Sequence, residues 1–313
     1  MVMASTTEEQ DHHGHGHGHV AHHFDSAQQQ FDAGKLGMWL FLITEILFFS
    51  GLFVAYAVYR VNHPEVFIDA RQHLNTSLGA LNTVVLLFSS LTMAWAVRAA
   101  QLGQHKLLSN LIILTLLCAS VFLGIKSIEY SHKWGEGLLW AGAYTYGSEE
   151  LVEQDKSAAK LAATAVLGAP AALIAVVSGA ILVFWRKRLS SVVRTLVAVA
   201  LGMGAIYFVG VGIGIIVEVL THSSVSHEPG DHSISQVAGE PGPGVFFSIY
   251  FTMTGVHALH ILIGMGVMLW MLEKSLRFEY GPDYFGPVDF VGLYWHLVDL
   301  VWIYLFPLLY LIG

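Results

Sequence analysis

Residues 36–59 read LGMWLFLITEILFFSGLFVAYAVY and contain one acidic side chain, Glu45, but no lysine or arginine. These 24 residues are enough for a helix to cross the hydrocarbon core of a bilayer. A carboxylate at that depth is costly unless it has a partner or a function. A protonated Glu45 bonded to a neighbouring helix would satisfy the side chain without any further role. The position alone therefore leaves a functional and a structural interpretation open.

The composition is that of a membrane protein with several spans. The chain is 55% hydrophobic and only 12% charged, and its mean hydropathy is +0.59, whereas an ordinary soluble domain is about 25% charged. The first 35 residues lack the apolar core of a cleavable signal peptide, so we expect the first helix to act as the insertion signal. The single cysteine, Cys118, excludes an internal disulfide and a CxxC metal site. No basic patch points to nucleic acid.

Seven apolar segments have the length of a transmembrane helix, and lipid requires each to pair its backbone groups within itself. The sequence therefore predicts an all-α fold, a polytopic transmembrane bundle of about seven helices. The expected spans are residues 36–59, 78–97, 107–125, 161–185, 196–219, 244–272 and 290–312.

The distribution of lysine and arginine predicts that the N-terminus lies inside and the C-terminus outside. In that orientation nine of these cations lie on the inner side and six on the outer side. The inner connections include the compact cluster of Arg186, Lys187 and Arg188. The connection over residues 221–243 carries no lysine or arginine, as suits the outer side.

Five segments follow one another in a distinctive order: GMWLFLITEILFF (37–49), LNTVVLL (81–87), SIEY (127–130), FFSIYFTMTGVHALHILIG (246–264) and YWHLVDLVWIYLF (294–306). Together they resemble subunit III of the haem-copper cytochrome c oxidases. The chain is similar to the shorter bacterial form, which lacks two helices before the one with the intramembrane carboxylate. Residues 161–219 add a pair of helices that has no counterpart in the core of that family. The resemblance divides the chain into a disordered His-rich tail (1–35), three core helices (36–130), two outer loops around the inserted pair (131–243) and two last core helices (244–313).

The resemblance implies a non-catalytic subunit of a proton-pumping oxidase, an oxidoreductase and translocase in the bacterial cytoplasmic membrane. It would stabilise the catalytic subunit, support proton uptake and bind structural phospholipids. The implied partners are catalytic subunit I and subunit II, and haem and copper are expected there instead of in this chain. The spans themselves contain only three histidines, too few for a haem-copper core. The inserted helices face lipid or pack against another subunit or a larger respiratory assembly.

The resemblance also assigns roles to individual residues. Glu45 matches the family's carbodiimide-reactive carboxylate, whose implied role is proton entry into the neighbouring catalytic subunit and protection of that subunit. Lys274 and Arg277 match basic residues near lipid headgroups, although ordinary positive-inside anchoring explains them as well. Glu129 matches an acid at the end of the third span, where a salt bridge with Lys126 or Lys133 is the simpler interpretation.

Several histidines are weaker candidates. His257 and His260 stand at i, i+3, a spacing that suits either a metal or hydrogen bonds to other helices or to lipid headgroups. His296 and Asp299 repeat the spacing, which favours a local polar pair or a polar contact between helices over a metal site. The tail can bind Cu, Zn or Ni through neutral imidazoles, although a flexible tract with incidental affinity is the default and copper handling the alternative. Its candidate ligands are His12, His13, His15, His17, His19, His22 and His23.

Two alternative functions stay open. The chain could be the equivalent subunit of a quinol oxidase or a nitric oxide reductase, since it carries no recognisable site for the electron donor. From a different class, it could be a His-rich metal transporter. A transporter would need several polar residues lining one path near mid-membrane. That requires Glu45, His257, His260, His296 and Asp299 to converge.

Overall fold

The computed structural model describes residues 21, 23–139, 153–185, 187–222 and 242–312. Over these ranges the chain forms eight α-helices and a closing π-helical turn, Pro307–Leu311, which confirms the all-α prediction. Seven of the helices are long and apolar enough to cross a membrane, and the eighth, α2, was not predicted. The helices are α1 (Ala27–Asn62), α2 (Pro64–Gln72), α3 (Thr76–Gln101), α4 (His105–Gly135), α5 (Glu153–Trp185), α6 (Ser191–His222), α7 (Gly244–Leu276) and α8 (Gly286–Phe306).

Most helices extend beyond the predicted spans. The first begins at Ala27 instead of residue 36, because the Ser26 hydroxyl caps it by accepting from the Gln29 amide at 3.1 Å. Residues 27–35 are therefore helical and do not belong to a disordered tail, whereas residues 1–20 and 22 lie outside the described part. Residues 131–135, assigned above to the outer loop after the third core helix, belong to α4, and α5 begins at Glu153 instead of residue 161. Hydropathy marks only the lipid-facing stretch, while helical hydrogen bonding continues through polar residues.

The fourth helix is the centre of the bundle. Of its most apolar stretch, 72% is buried, against 11% for α1 and for α5. It packs against α3, α5, α6 and α7, while α1 lies at the periphery against α7 and α8. At the contact between α4 and α6, a Cβ on Gly124 would collide with the carbonyl oxygen of Tyr207. Glycine there lets the two backbones touch, as at many helix crossings in membranes.

Candidate functional site

The structure places Glu45 beside a histidine from the other end of the chain. The Glu45 Oε2 atom on α1 lies 2.9 Å from Nε2 of His260 on α7. The two side chains are only 18% and 15% exposed. The carboxyl group that has no cation within its own apolar run, residues 36–59, thus has its partner on a neighbouring helix.

The surroundings of His260 determine where its protons lie. Its Nδ1 atom is 2.8 Å from the carbonyl oxygen of Val256. A carbonyl can only accept, so Nδ1 must carry a proton. The other nitrogen then either accepts from protonated Glu45 or, in an imidazolium, donates to the carboxylate. In both cases one proton lies between Glu45 and His260.

Neighbouring groups hold this imidazole in place. The Tyr294 hydroxyl donates to the backbone oxygen of His260 at 2.9 Å. The ring of Phe49 lies 5.1 Å from the imidazole ring, centroid to centroid. The pair is therefore positioned by α1, α7 and α8 together, at the edge of the bundle.

A second and larger polar cluster surrounds Glu129. Its carboxylate lies 2.8 Å from Lys126 Nζ and 3.2 Å from Lys133 Nζ, so it pairs with both lysines instead of one. It also accepts hydrogen bonds from the hydroxyls of Tyr250 and Tyr310. All three charged side chains are at most 4% exposed, so this is a buried cluster, larger than the plain salt bridge with Lys126 or Lys133 that the sequence suggested.

Two lysines against one carboxylate leave this Glu129 cluster with one excess positive charge when all three groups are ionised. Aromatic faces compensate it: Lys126 Nζ lies 5.0 Å from the ring centroids of both Tyr250 and Trp302. The hydroxyl oxygens of Tyr250 and Tyr310 accept from the same ammonium group at 2.9 and 2.7 Å. The cluster joins α4 to α7, α8 and the C-terminal turn.

The remaining intramembrane candidates do not join Glu45. His257 is fully buried, stacked on Trp302 at 5.2 Å between ring centroids, with its nitrogens unbonded among the described residues. His296 Nδ1 lies 2.7 Å from the Ser90 hydroxyl, and no hydrogen bond joins it to the buried Asp299 in the described part of the chain. Within the same ranges, no group of three or more His, Cys, Asp or Glu side chains could hold a metal ion.

The two lipid-headgroup candidates lie at the end of α7, and each pairs with an acid. Lys274 Nζ is 2.7 Å from a Glu279 oxygen, and Arg277 Nη2 is 2.6 Å from Glu273. The side chains of Lys274 and Arg277 are 33% and 53% exposed, so both remain accessible from outside the protein. The Nζ atom of Lys274 also lies 5.4 Å from the Trp270 ring centroid.

Sequence reasoning did not identify the network that joins the inserted pair to the core. His132 on α4 contacts Glu218 on α6 at 2.9 Å and Glu136 at 3.3 Å, and Lys160 on α5 contacts Glu218 at 3.2 Å. Burial raises the pKa of Glu136, but the hydrogen bond and charge of His132 outweigh it and hold that pKa below its ordinary value. The i, i+4 spacing of His132 and Glu136 was the available signal.

Only His23 of the His-rich tract lies in the described residues, where its ring centroid is 4.3 Å from that of Phe24. The other six tract histidines, His12, His13, His15, His17, His19 and His22, lie outside the described part.

Comparison with known proteins relates the chain to one family. A family model described as cytochrome c oxidase subunit III matches residues 17–134 and 231–313, well over half of the chain. Curated proteins named cytochrome c oxidase subunit 3 match over shorter stretches. The one from Thermostichus vulcanus is 39% identical over 69 residues, which is 22% of this chain and 34% of that protein. The one from Hippopotamus amphibius is 34% identical over 70 residues, 22% and 27% of the two chains. The matched stretch thus spans about a third or less of these relatives.

Proposed function

The chain belongs to the cytochrome c oxidase subunit III family, and from this premise we propose that it is a non-catalytic subunit of a respiratory cytochrome c oxidase. It binds catalytic subunit I and subunit II, which hold the haem and copper, and the complex is an oxidoreductase and proton translocase. We place it in a bacterial cytoplasmic membrane, with the N-terminus inside. The seven membrane-length helices support a multi-pass membrane protein.

The observation that carries the proposal is the hydrogen bond between Glu45 and His260. One proton lies between the two groups, and its transfer from one atom to the other keeps the hydrogen bond intact. Glu45 lies on α1, a peripheral helix with most of its apolar stretch unburied in the isolated chain. In the complex, this pair supports proton uptake by the neighbouring catalytic subunit.

Replacing Glu45 with Gln separates the proton role from a structural one. The Gln amide donates to Nε2 of a neutral His260, so the contact between the helices is kept, but it has no proton to release. We expect the purified complex in vesicles to take up protons more slowly and to lose activity over fewer turnovers. Thr44→Val is the matched control, because Thr44 is exposed on the same helix and, within the described residues, its hydroxyl donates to the carbonyl oxygen of Phe41 in that helix. If the Glu45→Gln complex keeps its proton stoichiometry and completes as many turnovers before it loses activity, Glu45 has no role in proton uptake.

The subunit assignment has its own test. The chain is purified in mild detergent, a haem spectrum is recorded, and the co-purifying chains are identified by mass spectrometry. We expect haem absorbance and two partner chains in fixed ratio to this one. A partner-free chain without haem absorbance would refute membership of an oxidase complex, whatever the result at Glu45.

Structural phospholipids form the second part of the proposal. Lys274 and Arg277 lie together at the end of a spanning helix, where each cation attracts anionic lipid by about 1 kcal/mol. Their acidic partners, Glu279 and Glu273, reduce this attraction without removing the exposed donors. The inserted pair α5 and α6 supplies further apolar surface, and contact with another subunit or a larger respiratory assembly is its proposed use.

A further inference from the structure

A cavity lies between the inserted helix pair and the core. Its volume is about 590 Å³, and all four helices around it contribute to the wall: Leu123 from α4, Val166 from α5, Met203 from α6 and Met265 from α7. The family match ends at residue 134 and resumes at 231, so α5 and the wall segment of α6 lie outside it. The cavity is therefore a feature that the insertion adds to the family fold.

The polar side chains in this wall have partners inside the protein. Each of Ser120, Ser127 and Tyr207 donates to a backbone carbonyl, Tyr130 bonds to Thr254, and Lys126 belongs to the Glu129 cluster. No polar atom of these residues requires a ligand, and the rest of the lining is apolar. A water molecule would find few of the two to four partners that it needs. The wall chemistry therefore suits a hydrocarbon.

The shape of the cavity suits a chain better than a compact molecule. On α4 the lining extends from Ser120 to Tyr130, which is about 15 Å along the helix axis. On α7 it extends over a similar length, from Ala258 to Leu269. In α5, Pro170 lies in the wall and cannot donate to the carbonyl of Val166, which loosens the helix at that point. The long axis of the cavity runs along helices that cross the membrane, as lipid chains do.

We propose that this cavity binds one acyl chain of a membrane phospholipid and that the chain seals the joint between the inserted pair and the core. All lining residues belong to membrane-length helices, so the surrounding medium is lipid. The volume lies within the range of about 300–1,000 Å³ that small-molecule sites occupy. This site is separate from the cations at the end of α7.

The test uses the intact complex in vesicles containing a phospholipid with a photoreactive group in one acyl chain. After irradiation, cross-linked peptides are identified by mass spectrometry, with labelling of Met203 and Met265 expected. Ala200→Phe fills the cavity from α6 and should reduce that labelling about tenfold, equivalent to about 1.4 kcal/mol. Ala205→Phe is the matched control, because Ala205 is exposed on the same helix and outside the lining. If Ala200→Phe does not assemble, Ala258→Leu makes a smaller intrusion from α7.

Two results would overturn the proposal. Equal labelling in wild type, Ala200→Phe and Ala258→Leu would show that the chain labels only the outer surface. Competition by an isoprenoid quinone, without competition by excess unlabelled phospholipid, would assign the cavity to a different ligand. Failure of either kind leaves the oxidase assignment untouched, since that assignment is tested by haem and partner chains.

Discussion

Replacing Glu129 with Gln removes the only carboxylate from the buried cluster at the end of α4. Lys126 keeps the hydroxyl oxygens of Tyr250 and Tyr310 and the aromatic faces around it. Lys133 keeps only the Tyr250 ring, at 5.2 Å, because its side-chain hydrogen bond within the described residues goes to Glu129. Breaking a buried ion pair by removing one partner costs about 3–5 kcal/mol, since a charge is left uncompensated. We expect a loss of that size in the free energy of unfolding.

The assay is unfolding in mixed detergent micelles with increasing dodecyl sulfate, followed by circular dichroism of the helices. The double variant Glu129→Gln, Lys133→Met is the informative comparison, because it also removes the stranded ammonium group. It should recover about 2 kcal/mol relative to Glu129→Gln alone, a coupling typical of residues in contact. Glu273→Gln, at an exposed pair, is the control for loss of a carboxylate in general.

Two outcomes would refute this reasoning. A loss in the free energy of unfolding below about 1 kcal/mol for Glu129→Gln would match that of an exposed salt bridge and would mean that the cluster is hydrated. A double variant less stable than the single one would mean that Lys133 stabilises the fold by contacts other than its charge pairing with Glu129.

Three further predictions concern the joint and the lipid cations. Glu218→Gln weakens the contacts that hold α6 to α4 and α5 and should lower the free energy of unfolding by about 1–3 kcal/mol in the same assay. Gly124→Ala forces α4 and α6 apart and should lower the free energy of unfolding by about 1–3 kcal/mol. Gly51→Ala, whose new Cβ has nothing within 4 Å, should leave the free energy of unfolding unchanged. Neutralising Lys274 and Arg277 together as Gln should reduce retained anionic phospholipid several-fold in lipid mass spectrometry, and unchanged retention would contradict the headgroup role.

The number and kind of helices could be predicted because a lipid solvent allows few alternatives. An apolar run of about 20 residues must close its own hydrogen bonds, so hydropathy located each of the membrane-length helices in the described residues. It could not locate their ends, since Ser26 caps α1 well before the apolar run begins. It also missed α2, which is only nine residues long and begins at Pro64. Local capping and proline chemistry decide such boundaries, and hydropathy averages over them.

The polar partners were harder to predict because they come from distant parts of the chain. Glu45 and His260 are 215 residues apart, and no local spacing relates them. The i, i+3 spacing of His257 and His260 left open a shared metal site beside ordinary hydrogen bonds. Residues three apart differ by about 60° around a helix, enough for two interfaces to separate them. His257 accordingly faces α4 and α8, while His260 faces α1.

Helix α7 contributes a side chain to the Glu129 cluster, to the pair of Glu45 and His260, and to the cavity beside the inserted helices. Tyr250 enters the Glu129 cluster, His260 holds Glu45 ten residues further along, about 15 Å away, and Met265 lines the cavity. Because α1 rests on α7 and α8 and little else, the distance between Glu45 and His260 depends on how firmly α7 is fixed. The Glu129 cluster fixes α7 at one end, and the joint with the inserted pair fixes it along one side. The proton-uptake role that we propose for Glu45 and His260 depends on their 2.9 Å separation, and the Glu129 cluster and the joint would preserve that distance by keeping α7 in register with α1.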